Sequence, residues 1–506
     1  MKKTIAIFLL LAATAGLSFA ATAEAEKQFT MMGLEYEETN RIWSESLFFE
    51  RMREMTGVSF SFNQFTKQEE YQKAKQEAFS AEGQLPDVLF KANLSPEEEM
   101  AYIESGQLAD LAPLIEEHMP NLSKILSARE DWRRAVTLPS GAIASLPVLR
   151  GDERQCVVWI NQKWMTALGL QMPETIDGFT DVLRAFRDQD PNGNGKKDEI
   201  PLDIIGPWEA KFLLHAFGLT PNDYNLYLND EGFVRFAPFD PAFFEFVSWL
   251  RLAQREGLIG PQAFRGTHAE KNMTSQTNDQ KTPQISGSLI SIAPYTSVSL
   301  ESAADYALMP PLQSGGRQVY RRLLTGVGRG AFAVTSACAD VPSVLRWADV
   351  LYTEEGGRLA FAGQEDVDYH FLSDGTWEWK ASGDYYALNE MLSKSIIADE
   401  TRMPGLEPAG FMRNSEIQAE NHVRRQMDKI RPYLADPFPL TWPTETTREN
   451  RIAELQAALA TCVDRAIANF AMGKIELSDA NWQSFLEELH ALGADELIAL
   501  WQEKIR

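Results

Sequence analysis

The sequence predicts an α/β protein of two lobes, and three observations carry that reading. Its 506 residues, 44% of them hydrophobic, exceed what one core organises, because single hydrophobic cores stop growing beyond roughly 250–300 residues. Short apolar segments of strand character alternate with segments of helical periodicity, the pattern of a parallel or mixed sheet covered by helices. From Thr446 onward the pattern is almost wholly helical, ending in "LGADELIALWQEKIR". No repeat of 20–50 residues and no low-complexity tract interrupts this order.

Lys2 and Lys3 precede the apolar run Ile5–Leu17, and small residues follow at Ala21, Ala23 and Ala25. This is the pattern of a secretory signal peptide over residues 1–25, its apolar run being too short to span a bilayer. Cleavage is expected after Ala25, with Ala23 and Ala20 as alternatives. No cysteine lies in Met1–Ala25, so no lipoprotein anchor is expected. The protein should be periplasmic in a cell with two membranes and secreted in a cell with one. Next, "FTMMGL" reads as a strand, and a helix is expected over 40–56, where Ile42, Leu47, Phe48, Met52 and Met55 recur near helical spacing. "VSFSFNQF" alternates at period two, as a half-buried strand does. A helix over Gln68–Phe79 and the short strand "LPDVLF" (Leu85–Phe90) repeat the alternation. "GQLADLAPLIEEHMPNL" (Gly106–Leu122) turns into a helix that must stop before Pro120. "AIASLPVL" and "CVVWINQKWMTALGL" add strands and a helix ending at Gly169. Further helices are expected over Ile176–Asp188, Ala242–Glu256 and Val341–Tyr352, with "GRGAFAVT" as a strand and Gly266–Pro283 as the most mobile loop.

A formal charge of -24 argues against nucleic acid or an anionic bilayer as a broad partner surface. Three scattered cysteines, Cys156, Cys338 and Cys462, are too few for a disulfide framework; packed thiols are expected, with a single disulfide as the alternative. The six histidines show no HExxH motif or paired spacing, which argues against a catalytic zinc. "GVGRGA" (Gly326–Ala331) lacks the lysine and serine order of a phosphate loop, and no GxSxG elbow occurs.

The most specific motif is "DPNGNGKKDEIPL" (Asp190–Leu202). Asp190, Asn192, Asn194 and Asp198 stand at positions 1, 3, 5 and 9 of a calcium-loop template, and Gly195 stands at position 6. A hard cation needs about 6–8 oxygens at short range, and alternation lets one turning backbone aim every second side chain inward. Lys196, at position 7, would offer only its carbonyl. Position 12 is Pro201 rather than the EF-hand glutamate, so Glu199 must close the site early and the chain must leave as an extended segment. A metal-free Asn-Gly turn explains the turn residues. It does not explain three acids and two carboxamides at alternating positions.

With its flanks, Trp159–Leu202, this loop resembles the extracellular solute-binding proteins of ABC importers, in the oligosaccharide branch that includes the alginate-binding and LipO-like proteins. Matching stretches in the same order are "LPDVLF", "GQLADLAPLIEEHMPNLSKIL", "QREGLIGPQAF", "RWADVLYTEEGGRLAFAGQEDVDYHF" and "FAMGKIELSDANWQSFLEELHALGADELIALWQE". The resemblance implies a two-lobed periplasmic-binding-protein fold with crossover hinge segments that closes over a sugar. It implies no enzymatic activity, partnership with ABC permease subunits, only peripheral contact with the membrane complex, and a monomer. It also implies structural Ca²⁺ held by Asp190, Asn192, Asn194, Lys196 (carbonyl), Asp198 and Glu199. The lobes are expected to comprise residues 26–147 with 297–340, and 148–296 with 341–506.

Sugar rings have apolar faces and hydroxyl edges, so their sites want flat aromatic platforms flanked by polar side chains. Trp208, Tyr295, Trp43, Trp379 and Trp442 stand in polar or strand-end contexts and are candidates, with Arg413 as a partner for a uronate carboxylate. Trp249, Trp347 and Trp501 lie on helical apolar faces and are expected in the core. Two other readings compete. A secreted glycosidase needs two opposed carboxylates, which 72 acidic residues supply without signal. A binding protein feeding a sensor would use the same closing receptor.

Overall fold

The computed structural model describes residues 27–150, 155–265, 284–322, 326–398, 402–415, 417–436 and 438–505. The expected signal peptide and the expected mobile loop at 266–283 lie outside them. The strands in chain order are β1 (Lys27–Leu34), β2 (Val58–Phe65), β3 (Val88–Phe90), β4 (Leu146–Leu149), β5 (Val157–Asn161), β6 (Ile200–Asp203) and β7 (Leu226–Leu228). They continue as β8 (Val234–Phe236), β9 (Ser286–Ser291), β10 (Tyr306–Leu308), β11 (Val327–Val334), β12 (Tyr369–Phe371), β13 (Trp377–Trp379) and β14 (Gly405–Leu406).

Two main sheets define the lobes. The first is six-stranded in the order β14-β4-β11-β3-β1-β2 and the second four-stranded in the order β10-β5-β9-β6. In the first, β1 runs parallel to both β2 and β3, while β11 is antiparallel to β3 and β4, with an irregular register between Gly328 and Phe332. In the second, β6 is parallel to β9, and β5 is antiparallel to β9 and β10.

Side-chain alternation gives the first sheet a core on each face. Phe29 and Met31 of β1 join Phe60, Val88, Phe90 and Phe332 on one face, and Met32 and Leu34 join Leu89 and Ala333 on the other. As its period-two pattern predicts, β2 buries Val58 and turns Ser61 outward, because it forms the sheet's edge. The second sheet divides likewise: Val158, Ile160 and Ile290 face one cluster, and Val157, Trp159 and Leu289 face another.

The helix expected over 40–56 begins only at Leu47. Asn40 takes a left-handed conformation, and Trp43 lies in a short 3-10 turn. The helix before Pro120 ends at His118, and Pro120 opens the next one, where its fixed φ and missing N–H are tolerated. Trp249 and Trp347 are buried as expected, and Trp501 packs partly buried against the second lobe's core. All three cysteines are buried thiols outside any disulfide.

The expected lobe boundaries need revision. β10 lies within 297–340 yet belongs to the second sheet, whereas β11 from the same span belongs to the first. The helices Val341–Val350 and Glu354–Ala362 bury Val344, Leu345, Trp347 and Leu359 in the first lobe's core. Only after β14 does the chain return to the second lobe, through the helix Gln418–Met427 and the three C-terminal helices from Thr446 to Lys504. Both lobes alternate strands and helices in the same way, so the crossings leave no mark in the pattern.

Candidate functional site

The helix Ile176–Asp188 is capped by Thr175, whose hydroxyl accepts from the Gly178 N–H, and it buries Phe179, Val182, Leu183 and Phe186 against the second sheet. It delivers the chain into the polar loop. There Asp190 takes φ 46°, and Gly193 and Gly195 take φ 68° and 74°, the left-handed region that costs glycine little. Asn194 N–H donates to Asp190 Oδ1 (3.1 Å) and Asn192 Oδ1 (2.9 Å), and Gly195 N–H donates to Asp190 Oδ2 (3.0 Å). Lys196 N–H donates to Asn194 Oδ1 at 2.7 Å, and Asn194 Nδ2 donates to Asp198 Oδ1 at 3.0 Å. These contacts tie Asp190, Asn192, Asn194 and Asp198 into one oxygen-rich knot.

Glu199 completes the arrangement. Its Oε1 is buried without a hydrogen-bond partner. Burial, with the charges of Asp198 and Asp190, raises its pKa above the usual carboxylate range. An orphaned carboxylate oxygen among like charges suits a bound cation. No group of three His, Cys, Asp or Glu side chains converges among the described residues, so the donor set that fits here is a mixed one of carboxylate, carboxamide and carbonyl oxygens. The loop also fixes the strands it precedes: Ile200 N–H donates to Ile285 O (2.7 Å), and Asn192 Nδ2 donates to Gln284 O (3.3 Å). It therefore sits at the amino ends of the parallel pair β6 and β9.

The carboxyl ends of the same pair carry aromatics. β6 ends at Asp203 and leads to Trp208, which is 38% exposed, and β9 ends at Ser291 and leads to Ile292 and half-buried Tyr295. The Trp208 indole N–H donates to Asp223 Oδ1 at 2.9 Å, and its ring meets Phe212 edge-on at 4.9 Å. Arg321 Nη2 reaches the same Asp223 oxygen at 2.5 Å while its guanidinium lies 5.0 Å from the Phe212 ring centroid. Burial works to raise the Asp223 pKa, but the Arg321 guanidinium outweighs it and holds the carboxyl below its usual range. Burial lowers the pKa of Arg321 itself.

In the first sheet, β1 and β3 end beside a buried ion cluster. Glu35, fully buried, accepts from Lys91 Nζ at 2.5 Å and from the Trp43 indole N–H at 3.1 Å, with Arg41 Nη1 at 3.5 Å. Next to it, Tyr36 is 38% exposed, donates to Gln68 Oε1 at 3.3 Å, and carries the Arg402 guanidinium 4.1 Å over its ring.

The structure thus divides the sequence's aromatic candidates. Trp208 and Tyr295 follow the carboxyl ends of neighbouring strands. Trp43 is 1% exposed within the first lobe's core, so it offers no face to a ligand. Trp442 is buried too, under the Arg329 guanidinium at 4.2 Å. Trp379 donates to Ala362 O at 3.2 Å and packs beside Trp377 in the β12–β13 hairpin. Arg413 lies 4.6 Å over the Trp379 ring, its pKa lowered by burial and by Arg424. Sequence reasoning passed over Asp223, Arg321, Tyr36 and Arg402. For Tyr36 a signal existed, since it stands two residues beyond an apolar strand. Arg321 and Asp223 are separated by 98 positions, and nothing local links them.

No family model matches the chain. It is 26% identical over 505 aligned residues, 91% of this chain and 86% of the relative, to the fructooligosaccharide ABC transporter substrate-binding protein FusA of Streptococcus pneumoniae. A structure of FusA in complex with kestose covers 94% of this chain and 98% of its own at a TM-score of 0.59 and 24% identity. An HMO-binding ABC-transporter-associated solute-binding protein from Bifidobacterium longum infantis covers 95% and 98%, with a TM-score of 0.68 and 20% identity. The alginate-binding protein AlgQ2, solved without calcium ion, covers 95% and 98% at 0.53 and 18%. The chain is a homologue of the oligosaccharide-binding solute-binding proteins of ABC transporters and shares their two-lobed α/β fold.

Proposed function

We propose that the protein captures an oligosaccharide between its lobes and presents it to a membrane permease, performing no chemistry on it. One observation carries this reading: Trp208 and Tyr295 follow the carboxyl ends of the parallel strands β6 and β9, and Tyr36 follows β1 in the other sheet. In open α/β sheets the ligand crevice lies outside the carboxyl ends of the strands. Aromatic faces there suit the apolar faces of sugars. Closure follows if the ligand touches both lobes, because it then binds the closed state better than the open one. The comparisons support the choice of ligand, since FusA is described as bound to kestose and to fructo-nystose. An exported protein acting beside its permease belongs to the same reading.

Calcium in the 190–199 loop is part of the proposal. The loop's knot of side-chain oxygens and the orphaned Glu199 oxygen support it, as does the existence of a FusA "EF-hand mutant". Asp190, Asn192, Asn194, Asp198 and Glu199 would hold the ion with the Lys196 carbonyl. Its charge would offset the repulsion among the carboxylates, and the role is structural.

Calorimetry against a panel of defined oligosaccharides tests the reading. Binding without consumption of the sugar is expected, and Trp208→Ala should weaken it by about 1–3 kcal/mol through loss of an aromatic face. Cleavage of a sugar, or an affinity indifferent to Trp208→Ala, would refute it.

A further inference from the structure

Trp208 and three side chains beside it form a closed circuit. Trp208 donates to Asp223, Asp223 pairs with Arg321, Arg321 lies against Phe212, and Phe212 meets Trp208 edge-on. The indole is thereby fixed at its N–H and along one edge. A platform held this way spends little entropy when a sugar stacks on it.

The circuit is layered by exposure. Trp208 is 38% exposed and the Asp223 side chain 53% exposed, whereas the Arg321 side chain beneath them is 5% exposed. Two Arg321 nitrogens, Nε and Nη1, are buried without hydrogen-bond partners, so among the described residues its charge is answered by Asp223. The surface offered outward is an aromatic face beside a carboxylate. The cation lies underneath, already compensated. At the carboxyl end of β1 in the first sheet, Lys91 and Arg41 are held by the buried Glu35, and Arg402 lies against the Tyr36 ring.

Resting on the solute-binding reading, we infer that this subsite takes an uncharged sugar ring and rejects uronates, with Asp223 as the residue that sets the discrimination and Arg321 as the positioning residue behind it. Hydroxyl groups can donate to the exposed Asp223 carboxylate, while a uronate carboxylate placed on Trp208 would meet a like charge, the Arg321 beneath it being paired with Asp223 and Lys211 with Asp464. Discrimination by a repulsive group is an effective route to specificity. The overall charge of -24 opposes polyanions at longer range as well.

The test is calorimetry with neutral and uronate oligosaccharides of matched length, at low and high salt, on the wild type and on Asp223→Asn. The wild type should bind a neutral oligosaccharide with little salt dependence and the uronates much more weakly. In Asp223→Asn the amide oxygen can still receive the indole, but Arg321 loses its counter-charge. Neutral binding should fall about tenfold and uronate binding rise about tenfold, the scale of one charge-assisted hydrogen bond. Indole emission should report the loosened Trp208. A wild type that prefers uronates overturns the inference, as does a neutral-to-uronate ratio unmoved by Asp223→Asn in a variant whose circular dichroism is native. Should that variant fail to fold, the wild-type preference decides alone. Binding of neither class by the folded wild type overturns the solute-binding reading itself.

Discussion

The stability of the first lobe should depend on pH through Glu99. It lies on the helix Pro96–Glu104 and is 1% exposed. One carboxylate oxygen accepts from the Ser145 hydroxyl, which in turn accepts from Gly330 N–H at 2.9 Å, and the other has no partner. Burial pushes its pKa up from 4.5 to about 7, against the opposing pull of Ser145 and Arg329. The folded chain therefore holds this proton more tightly than the unfolded chain. The contribution is fully present below about pH 4.5, is lost as pH rises to about 7, and is constant above that. The interval between 4.5 and about 7, at about 1.36 kcal/mol per pH unit, amounts to about 3 kcal/mol. For a lobe of this size that is about 6–12 °C in melting temperature. Scanning calorimetry of wild type and Glu99→Gln from acid to mildly alkaline pH isolates it, because the other carboxylates cancel in the difference. The glutamine keeps an acceptor for Ser145, and its unpartnered amide lowers the whole curve without adding a slope. Parallel pH profiles for the two proteins would refute the reasoning.

Calcium should stabilise the second lobe by about 4 kcal/mol at a thousandfold excess over Kd, read as a higher melting temperature than in chelator, and Asp190→Ala should abolish the difference. Identical wild-type melts in calcium and chelator would remove the metal from the account. Glu35→Gln should destabilise the first lobe by about 3–5 kcal/mol in denaturant titrations, because it removes the buried carboxylate that pairs with Lys91 and Arg41. A loss below about 1 kcal/mol would mean that the pair is not buried in solution.

What could be read in advance was local. The loop was legible because its ligand candidates lie within ten consecutive positions, Asp190–Glu199, and alternation in a turning backbone is itself a short-range property. β2 was legible because its edge position lets Ser61 face out while Val58 and Phe60 are buried. Trp43 misled for a physical reason. The polar residues around it in "TNRIWSES" suggested an exposed site, but its indole N–H is satisfied inside the core by Glu35. Trp442 misled similarly, since the Arg329 that covers it is more than a hundred positions away. The lobe boundaries were illegible because each sheet draws strands from separated parts of the chain, and an added strand looks the same in sequence whichever sheet receives it.

The geometry of β6 argues for a division of labour between the two ends of the second sheet. The strand has four residues, Ile200–Asp203, or about 13 Å at roughly 3.3 Å per residue. The 190–199 loop precedes it and the Trp208 circuit follows it, so an ion bound in the loop would not touch a sugar at the other end. What the ion can set is the register and inclination of the strand that delivers Trp208. The supporting packing is tight: a Cβ at Gly287 in β9 would lie 2.4 Å from Phe186 and 2.9 Å from Trp164, so the helix feeding the loop rests directly on the neighbouring strand. A loop slackened by loss of its ion would therefore move the helix against that contact and the platform with it. Removing calcium should lower sugar affinity by disordering Trp208 while leaving the preference among sugars unchanged, because the groups that discriminate, Asp223 and Arg321, are bound to each other and not to the ion.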